Sequence, residues 1–232
     1  MNRTRIAWTD YSWNPFVGCD KVSAGCRDCY AEGVAKRFWR GDFKVTFHPK
    51  RINDPIGIKK PVKIFVCSMS DLFHEDIDPK DRGQVFDTIR KCPQHTFLVL
   101  TKRPQNINIG IPDNVWLGVT VENNKEAWRI ETLKGIKAKV RFISFEPLLE
   151  RIDFDKVNIE GIDWVIVGGE SGKTAREMDA EWAEEIYGEC RGEGVAFFFK
   201  QRGDASRTIS GGMSWQIGYY WEAVREWPVT SE

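Results

Sequence analysis

Short apolar runs recur along the chain between longer polar segments. They are rich in Val, Ile and Phe and are too short for helices, which indicates buried strands. Because the runs are nearly continuous rather than alternating with polar residues, they favour a parallel sheet covered on both faces. The predicted strands are Val62–Val66, Phe97–Leu100, Val115–Val119, Val140–Ile143, Trp164–Val167 and Val195–Phe199.

Helical patterns lie between several of these runs. Asp78 and Pro79 form a typical helix start, an N-cap followed by proline at the first helical position. The segment between the third and fourth predicted strands fits one helix, and we expect it to bury Trp128, Leu133 and Ile136. The alternation of strands and helices predicts βα units, arranged in a doubly wound sheet or a barrel.

Every predicted strand is followed by small, polar or charged residues, in Ser68–Asp71, Thr101–Pro104, Thr120–Asn123, Ser144–Pro147, Gly168–Gly172 and Lys200–Gly203. In a parallel barrel these ends share one rim, where loops build the active site, whereas a doubly wound sheet uses mainly the ends beside its switch point. The polar ends therefore favour an α/β fold with a single-domain parallel (β/α) barrel. We expect residues 1–232 to form this one domain, with 204–232 as a C-terminal appendage.

Composition and charge narrow the class of protein. The chain has 232 residues, which suits one large domain. No apolar run approaches the ~20 residues that cross a bilayer, and the N-terminus lacks the apolar core of a secretory signal. We therefore expect a cytoplasmic protein that does not enter a membrane. The segment from Lys36 to Lys63 contains nine Lys and Arg residues and two Asp residues. This excess of positive charge indicates either a polyanion-binding surface or a solvated face.

Three cysteines are clustered within eleven residues, at Cys19, Cys26 and Cys29. Structural zinc normally takes four protein ligands, and no fourth Cys or His follows at close spacing, although Cys67, His48 or His74 could fold back. A four-iron cluster on three thiolates leaves one iron open to a substrate or cofactor. The sequence favours the cluster, while zinc and a metal-free redox site stay open. The scattered Cys67, Cys92 and Cys190 are expected to be buried thiols.

This loop, followed by a helix and βα units, resembles the radical S-adenosylmethionine (SAM) superfamily. Its spacing is C-x6-C-x2-C, whereas the common form has three residues between the first two cysteines. Longer phrases resemble a family that occurs in phage and prophage genomes and carries a three-cysteine motif. These phrases are Ala7–Pro15, Ser68–His74, Leu100–Pro104, Ser144–Leu149 and Gly168–Gly172.

The resemblance implies a partial TIM-like barrel, a [4Fe-4S] cluster on Cys19, Cys26 and Cys29, and reductive cleavage of SAM with an external electron donor. The residues expected to contact SAM are Ser68, Ser70, Asp71, Glu122, Glu146, Gly168, Gly169, Glu170 and Ser171. For each carboxylate, the alternative is a helix cap or an ion pair with a Lys or Arg of the rim. For the glycines, the alternative is a plain turn.

The substrate is the least defined part of this hypothesis. Lys102, Arg103 and Lys200 would place cations on the rim, where they could hold the phosphates of a nucleotide or nucleic acid, and surface solvation is the competing explanation. No catalytic side chain is assigned, and the need for a partner protein stays open. Two other functions remain: a zinc-stabilised nucleic-acid-binding module without catalysis, and a barrel enzyme such as a nucleotide hydrolase whose cysteines only hold a loop.

Overall fold

The six predicted strands are all present and lie side by side in one sheet. The computed structural model describes residues 1–38, 42–205 and 220–230. Its strands, in chain order, are β1 (Asn2–Arg3), β2 (Tyr11–Trp13), β3 (Phe16–Val17), β4 (Thr46–Phe47), β5 (Lys63–Val66), β6 (Thr96–Thr101), β7 (Val115–Thr120), β8 (Val140–Phe145), β9 (Trp164–Gly168) and β10 (Ala196–Gln201). The predicted runs correspond to β5 through β10, so these predictions are confirmed.

The main sheet has eight strands in the order β1-β2-β5-β6-β7-β8-β9-β10, and β3 pairs with β4 in a separate ribbon. Strand β1 is antiparallel to β2, and the pairs from β2 to β10 are parallel. The parallel strands follow one another in chain order without reversal, so the described sheet has no topological switch point. The α/β class is confirmed as one mostly parallel sheet.

The helices are α1 (Tyr30–Phe38), α2 (Pro79–Arg90), α3 (Trp128–Lys134) and α4 (Ala180–Glu193). Helix α2 begins as predicted, because the Asp78 carboxylate accepts a hydrogen bond from the Lys80 amide (2.7 Å) and Pro79 follows as the first helical residue. Helix α4 ends at Gly194, which adopts the left-handed conformation that glycine favours. Within the described ranges, none of the helices has the length and apolar character needed to cross a membrane.

The prediction that α3 buries Trp128 is wrong. Its side chain is 45% exposed, whereas Ile130 and Leu133 are buried and Ile136 is half-buried. Ile130 and Leu133 are three residues apart and therefore share one face of the helix. Trp128 precedes Ile130 by two residues and lies about 200° around the helix axis, which turns its ring towards solvent.

Helices α2, α3 and α4 cover one face of the sheet, called here the outer face. Its core combines helix residues such as Phe86, Leu133 and Ile186 with strand residues such as Phe97 and Leu117. Strand side chains alternate between the two faces, so the intervening residues form the opposite, inner face. The large residues of the inner face include Phe65, Leu98, Trp116, Phe142, Trp164, Ile166 and Phe198. Both faces are therefore apolar, as the continuous runs predicted.

The inner face is covered by chain ends rather than by helices. Trp8, in the turn between β1 and β2, packs edge-on against Phe65 with ring centroids 4.6 Å apart. Trp227 lies 4.9 Å from Trp164, whose indole N–H donates to the Glu226 carbonyl at 2.9 Å. Two tryptophans that are distant in sequence thus complete this second core.

The C-terminal residues that the structure describes, 220–230, pack beside β10. The Phe199 amide donates to the Val224 carbonyl (3.0 Å), and the Glu226 amide donates to the Phe197 carbonyl (2.9 Å). Arg225 also pairs with Phe198 in an isolated antiparallel bridge. This part of the predicted appendage extends the sheet at β10, while 206–219 and 231–232 lie outside the described residues.

Small side chains occur where the inner face reaches the carboxyl ends of the central strands. Thr120 and Gly168 are the last residues of β7 and β9, and Ser144 is the second-last residue of β8. Ser144 and Gly168 lie two residues beyond the large Phe142 and Ile166. The strand alternation places all five residues on the inner face. The sheet is therefore filled at its middle and leaves space at its carboxyl edge.

One glycine inside the sheet is required by this packing. A Cβ at Gly118 would overlap the ring of Phe142, whereas a Cβ at Gly188 in α4 would meet nothing within 4 Å. We expect Gly118→Ala to destabilise the protein by about 1–3 kcal/mol, because the buried ring has to move. Gly188→Ala, the matched control, should stabilise it by roughly 0.5–1 kcal/mol. Urea unfolding measures both, and equal midpoints for the two variants would contradict this packing.

Candidate functional site

A cavity of about 850 Å³ lies at the carboxyl edge of the sheet and extends over its inner face. Cys19, Cys26 and Cys29 all line it. The other predicted site residues in its wall are Ser68, Ser70, Asp71, Lys102, Arg103, Glu146, Gly169, Glu170, Ser171 and Lys200. Glu122 and Gly168 lie immediately behind the wall. The structure thus brings the three cysteines and the predicted strand ends to one cavity.

The start of the cysteine loop is fixed to the loop after β5 by two hydrogen bonds of the Gly18 backbone. The Gly18 amide donates to the Met69 carbonyl (2.9 Å), and the Ser70 hydroxyl donates to the Gly18 carbonyl (2.6 Å). Gly18 has a φ of 96°, and a Cβ there would overlap the Lys44 backbone. Glycine is therefore required at this position, directly before Cys19.

The middle of the loop rests on the buried carboxylate of Glu122. This carboxylate accepts hydrogen bonds from the Ser23 hydroxyl (2.5 Å), Lys102 Nζ (2.8 Å) and Arg129 Nη1 (2.8 Å). A Cβ at Gly25 would overlap the Glu122 side chain, so the loop backbone lies directly against it. Burial alone would raise the pKa of Glu122, but the two cations and their hydrogen bonds outweigh burial and hold this pKa below its usual range.

A second acid–base pair holds the same loop from the other side. Arg176 donates to both carboxylate oxygens of Glu170 and also to the Ala24 carbonyl at 3.0 Å. The Thr174 hydroxyl donates to Asp28 at 3.1 Å. Arg176 could not be identified from the sequence, because its role depends on a contact with Ala24 across 152 residues of chain.

The rim carboxylates that were predicted to contact SAM are each paired with a basic residue. The pairs are Asp71 with Arg103 (3.4 Å), Glu122 with Lys102 (2.8 Å), Glu146 with Lys200 (2.7 Å) and Glu170 with Arg176. The ion pairs named earlier as the alternative are therefore present. A charged ligand that contacts these carboxylates must insert between the partners or exchange with one of them, and SAM contact at these residues stays a prediction.

The cysteines of the cavity have distinct surroundings. Burial raises the pKa of the Cys19 thiol to about 11, although the Arg103 guanidinium, whose Nη1 lies 3.5 Å from the sulfur, opposes this rise. Cys67 also lines the cavity, and it is buried, as are Cys92 and Cys190. Those three are buried thiols, as predicted.

The three clustered sulfurs do not converge as a compact trio: in the part of the chain that the structure describes, they do not all lie within 4.8 Å of one another. Asp20, His74 and Asp76 do meet this distance. The Asp76 amide donates to Nδ1 of His74 (3.1 Å), and Nε2 of the same ring faces Asp20 at 3.5 Å. Nε2 has no hydrogen-bond partner among the described residues, and both carboxylates are exposed, so no metal is assigned to this group.

The position of the cysteine loop should depend on Glu122. We expect Glu122→Gln to destabilise the protein by about 3 kcal/mol at neutral pH, because Lys102 loses its carboxylate partner and the buried Arg129 keeps only its pair with Glu126 (2.9 Å). Since the folded pKa of Glu122 is lowered, this stabilisation is present above the ordinary glutamate pKa of about 4.3 and is lost as the pH falls further. The difference between the two proteins should therefore shrink in acid, as measured by urea unfolding at several pH values.

The matched control for this change is Glu131→Gln. Glu131 is exposed and pairs with Lys134 on the surface of α3 at 3.0 Å. Such pairs contribute about 0–1 kcal/mol, so the control should unfold close to the wild-type midpoint. Equal losses in both variants would contradict the role given to the buried carboxylate.

Comparison with known proteins gives one match. The family model described as a protein of unknown function, DUF5131, matches residues 3–222. None of the curated proteins and none of the solved structures compared with the chain matches it. Because the family match extends over nearly the whole sequence, the chain belongs to the DUF5131 family.

Proposed function

We propose that this protein is a radical SAM-type enzyme. It would hold a [4Fe-4S] cluster on Cys19, Cys26 and Cys29, cleave SAM reductively, and modify a nucleotide or a nucleic acid. The observation that carries the proposal is the shared cavity: all three cysteines line the same 850 Å³ space as the polar ends of the parallel strands. Loops at the carboxyl ends of parallel strands are where α/β barrels build active sites.

The donor set fits a cluster better than zinc. Four tetrahedral ligands at 2.3 Å from zinc would place sulfurs about 3.8 Å apart, and structural zinc normally takes four protein ligands. The three sulfurs do not all lie within 4.8 Å of one another, and no group of potential ligands among the described residues includes them. In a cluster each thiolate binds a different iron, so the sulfurs need not approach so closely. Three thiolates would also leave one iron open.

When bound, the cluster would supply the electron that cleaves SAM, drawn from an external electron donor. The residues of this chain would bind and orient the ligand. Glu146 and Lys200 form one pair in the cavity wall and are suited to exchange partners with the ammonium and carboxylate groups of the methionine part. The Ser68–Asp71 loop offers hydroxyl and carboxylate acceptors beside Cys19, and the Glu122 and Glu170 pairs would keep the cysteine loop in place.

We further propose that the sheet is a partial barrel and that the protein acts in the cytoplasm. The parallel strands follow one another in chain order. The inner-face residues form layers: Phe142 and Ile166 fill the middle of the sheet, and Ser144 and Gly168 lie beyond them towards its carboxyl edge. Layers of side chains inside a parallel sheet are typical of (β/α) barrels. An oxygen-sensitive cluster and free thiols suit a reducing compartment.

Metal analysis of anaerobically purified protein tests the cluster. We expect about four iron and four sulfide per chain after reconstitution, because a four-iron cluster contains this number. Substitution of Cys19, Cys26 or Cys29 by alanine should remove most of the iron. Cys92→Ala is the matched control, since Cys92 is buried outside the cavity and should leave the iron content unchanged. One zinc and no iron would instead favour the zinc-stabilised nucleic-acid-binding module.

SAM cleavage tests the cavity wall. With dithionite as reductant, the wild type should release 5′-deoxyadenosine, and Lys200→Met should raise the KM for SAM roughly tenfold, because a charge-assisted contact is lost. Lys156→Met removes an exposed lysine elsewhere and should change nothing. If iron is present but SAM stays intact with dithionite, the proposed reaction is wrong. An unchanged KM in Lys200→Met would reject only the assigned contact.

A further inference from the structure

The basic side chains of the cavity wall are paired with carboxylates, with one exception. The acidic and basic side chains of the wall have oppositely charged partners within 4.0 Å, and Asp20 faces the imidazole of His74. Arg5 is the exception: within the described residues no carboxylate lies within 4.0 Å of this exposed guanidinium. Arg5 is thus a cation of the wall without a carboxylate partner, and an anionic group is the ligand that this position favours.

Arg5 belongs to the turn between β1 and β2, at the end of the cavity away from the cysteines. The Asp10 amide and the Thr9 hydroxyl both donate to the Lys63 carbonyl, at 3.0 and 2.9 Å. These contacts fix the turn beside the start of β5, whereas the cysteine loop lies beyond the carboxyl end of that strand. The cavity therefore has two chemically different ends.

The end beside Arg5 is apolar and aromatic. Ile6 and Trp8 from the turn and Phe65 and Leu100 from the sheet contribute to its wall. Trp8 is 2% exposed, and its indole N–H is buried without a hydrogen-bond partner among the described residues. An unpaired buried donor is costly, so a ligand that supplies an acceptor here is favoured over a pure hydrocarbon.

From these features we infer that the Ile6–Trp8 end of the cavity binds a nucleotide unit of the substrate, with the base against Trp8 and Phe65 and the phosphate at Arg5. A nucleobase combines a flat π-face with ring nitrogen or carbonyl acceptors, and bases stack on aromatic side chains in many single-strand sites. A phosphate suits the guanidinium. The inference names the substrate class of the proposed enzyme and in that sense rests on the proposed function, but the binding itself needs no cluster.

Calorimetric binding to the full-length protein tests this inference. The probes are the four 2′-deoxynucleoside 5′-monophosphates, the corresponding nucleosides, and ribose 5-phosphate as a phosphate without a base. At least one monophosphate should bind more tightly than both its nucleoside and ribose 5-phosphate. Monophosphates that bind no more tightly than ribose 5-phosphate would overturn the inference.

Two variants assign the contacts. Arg5→Gln, at an exposed position, should weaken monophosphate binding about tenfold and leave nucleoside binding unchanged, because it removes one charge-assisted contact. Trp8→Phe keeps an aromatic ring but deletes the N–H, and it should weaken monophosphates and nucleosides alike by about five- to tenfold. The matched controls are Arg3→Gln, in the same hairpin but outside the cavity wall, and Trp116→Phe, which is on the inner face but outside the wall.

The outcomes separate this inference from the proposed function. If nucleotides bind as expected to a protein that holds no iron, the inference stands and the radical SAM proposal fails. If SAM is cleaved but Arg5→Gln and Trp8→Phe bind nucleotides like the wild type, the inference fails alone. Trp8→Phe that weakens SAM instead of nucleotides would assign this end to the adenine of SAM and would also overturn the inference.

Discussion

The buried carboxylate of Glu122 is the interaction on which the position of the cysteine loop depends. A charge removed from water is tolerated only when it is fully paired, and Lys102 and Arg129 provide that pairing. The loop contacts Glu122 through the Ser23 hydroxyl and through Gly25, which has no side chain to hold the loop backbone away from the carboxylate. The loop is thus held by polar contacts. These contacts keep the three cysteines in the wall of the cavity, and the cavity itself stays open.

Much of the fold follows from local sequence, because a strand buried on both faces has to be apolar at nearly every position. Strands β5 through β10 could therefore be predicted from their apolar runs. The start of α2 could be predicted from another local signal, the Asp78-Pro79 pair. Strand β2 escaped prediction, since Tyr11–Trp13 is short and includes a serine. Trp128 was misassigned because apolar character alone does not fix the phase of a seven-residue helix.

The site is partly predictable for a geometric reason. Parallel strands end at a common edge, so residues at or just after the ends of different strands meet although they are far apart in sequence, as Ser68, Glu146 and Lys200 do. Their partners were not predictable, because the pairing of Glu170 with Arg176, and of Arg176 with Ala24, depends on how two loops cross. The same holds for Trp8, whose place over the inner face is set by the β1–β2 hairpin.

The large separation in sequence between Trp164 and Trp227 has a consequence for folding during translation. The Trp227 ring packs on Trp164 and Phe198, so the inner aromatic core is completed only when translation has reached Trp227, 63 residues beyond Trp164. At about 5–20 residues per second, several seconds pass between the synthesis of the strand that carries Trp164 and the synthesis of Trp227. During that interval the nascent chain presents an apolar sheet face on the ribosome, the kind of surface that chaperones bind.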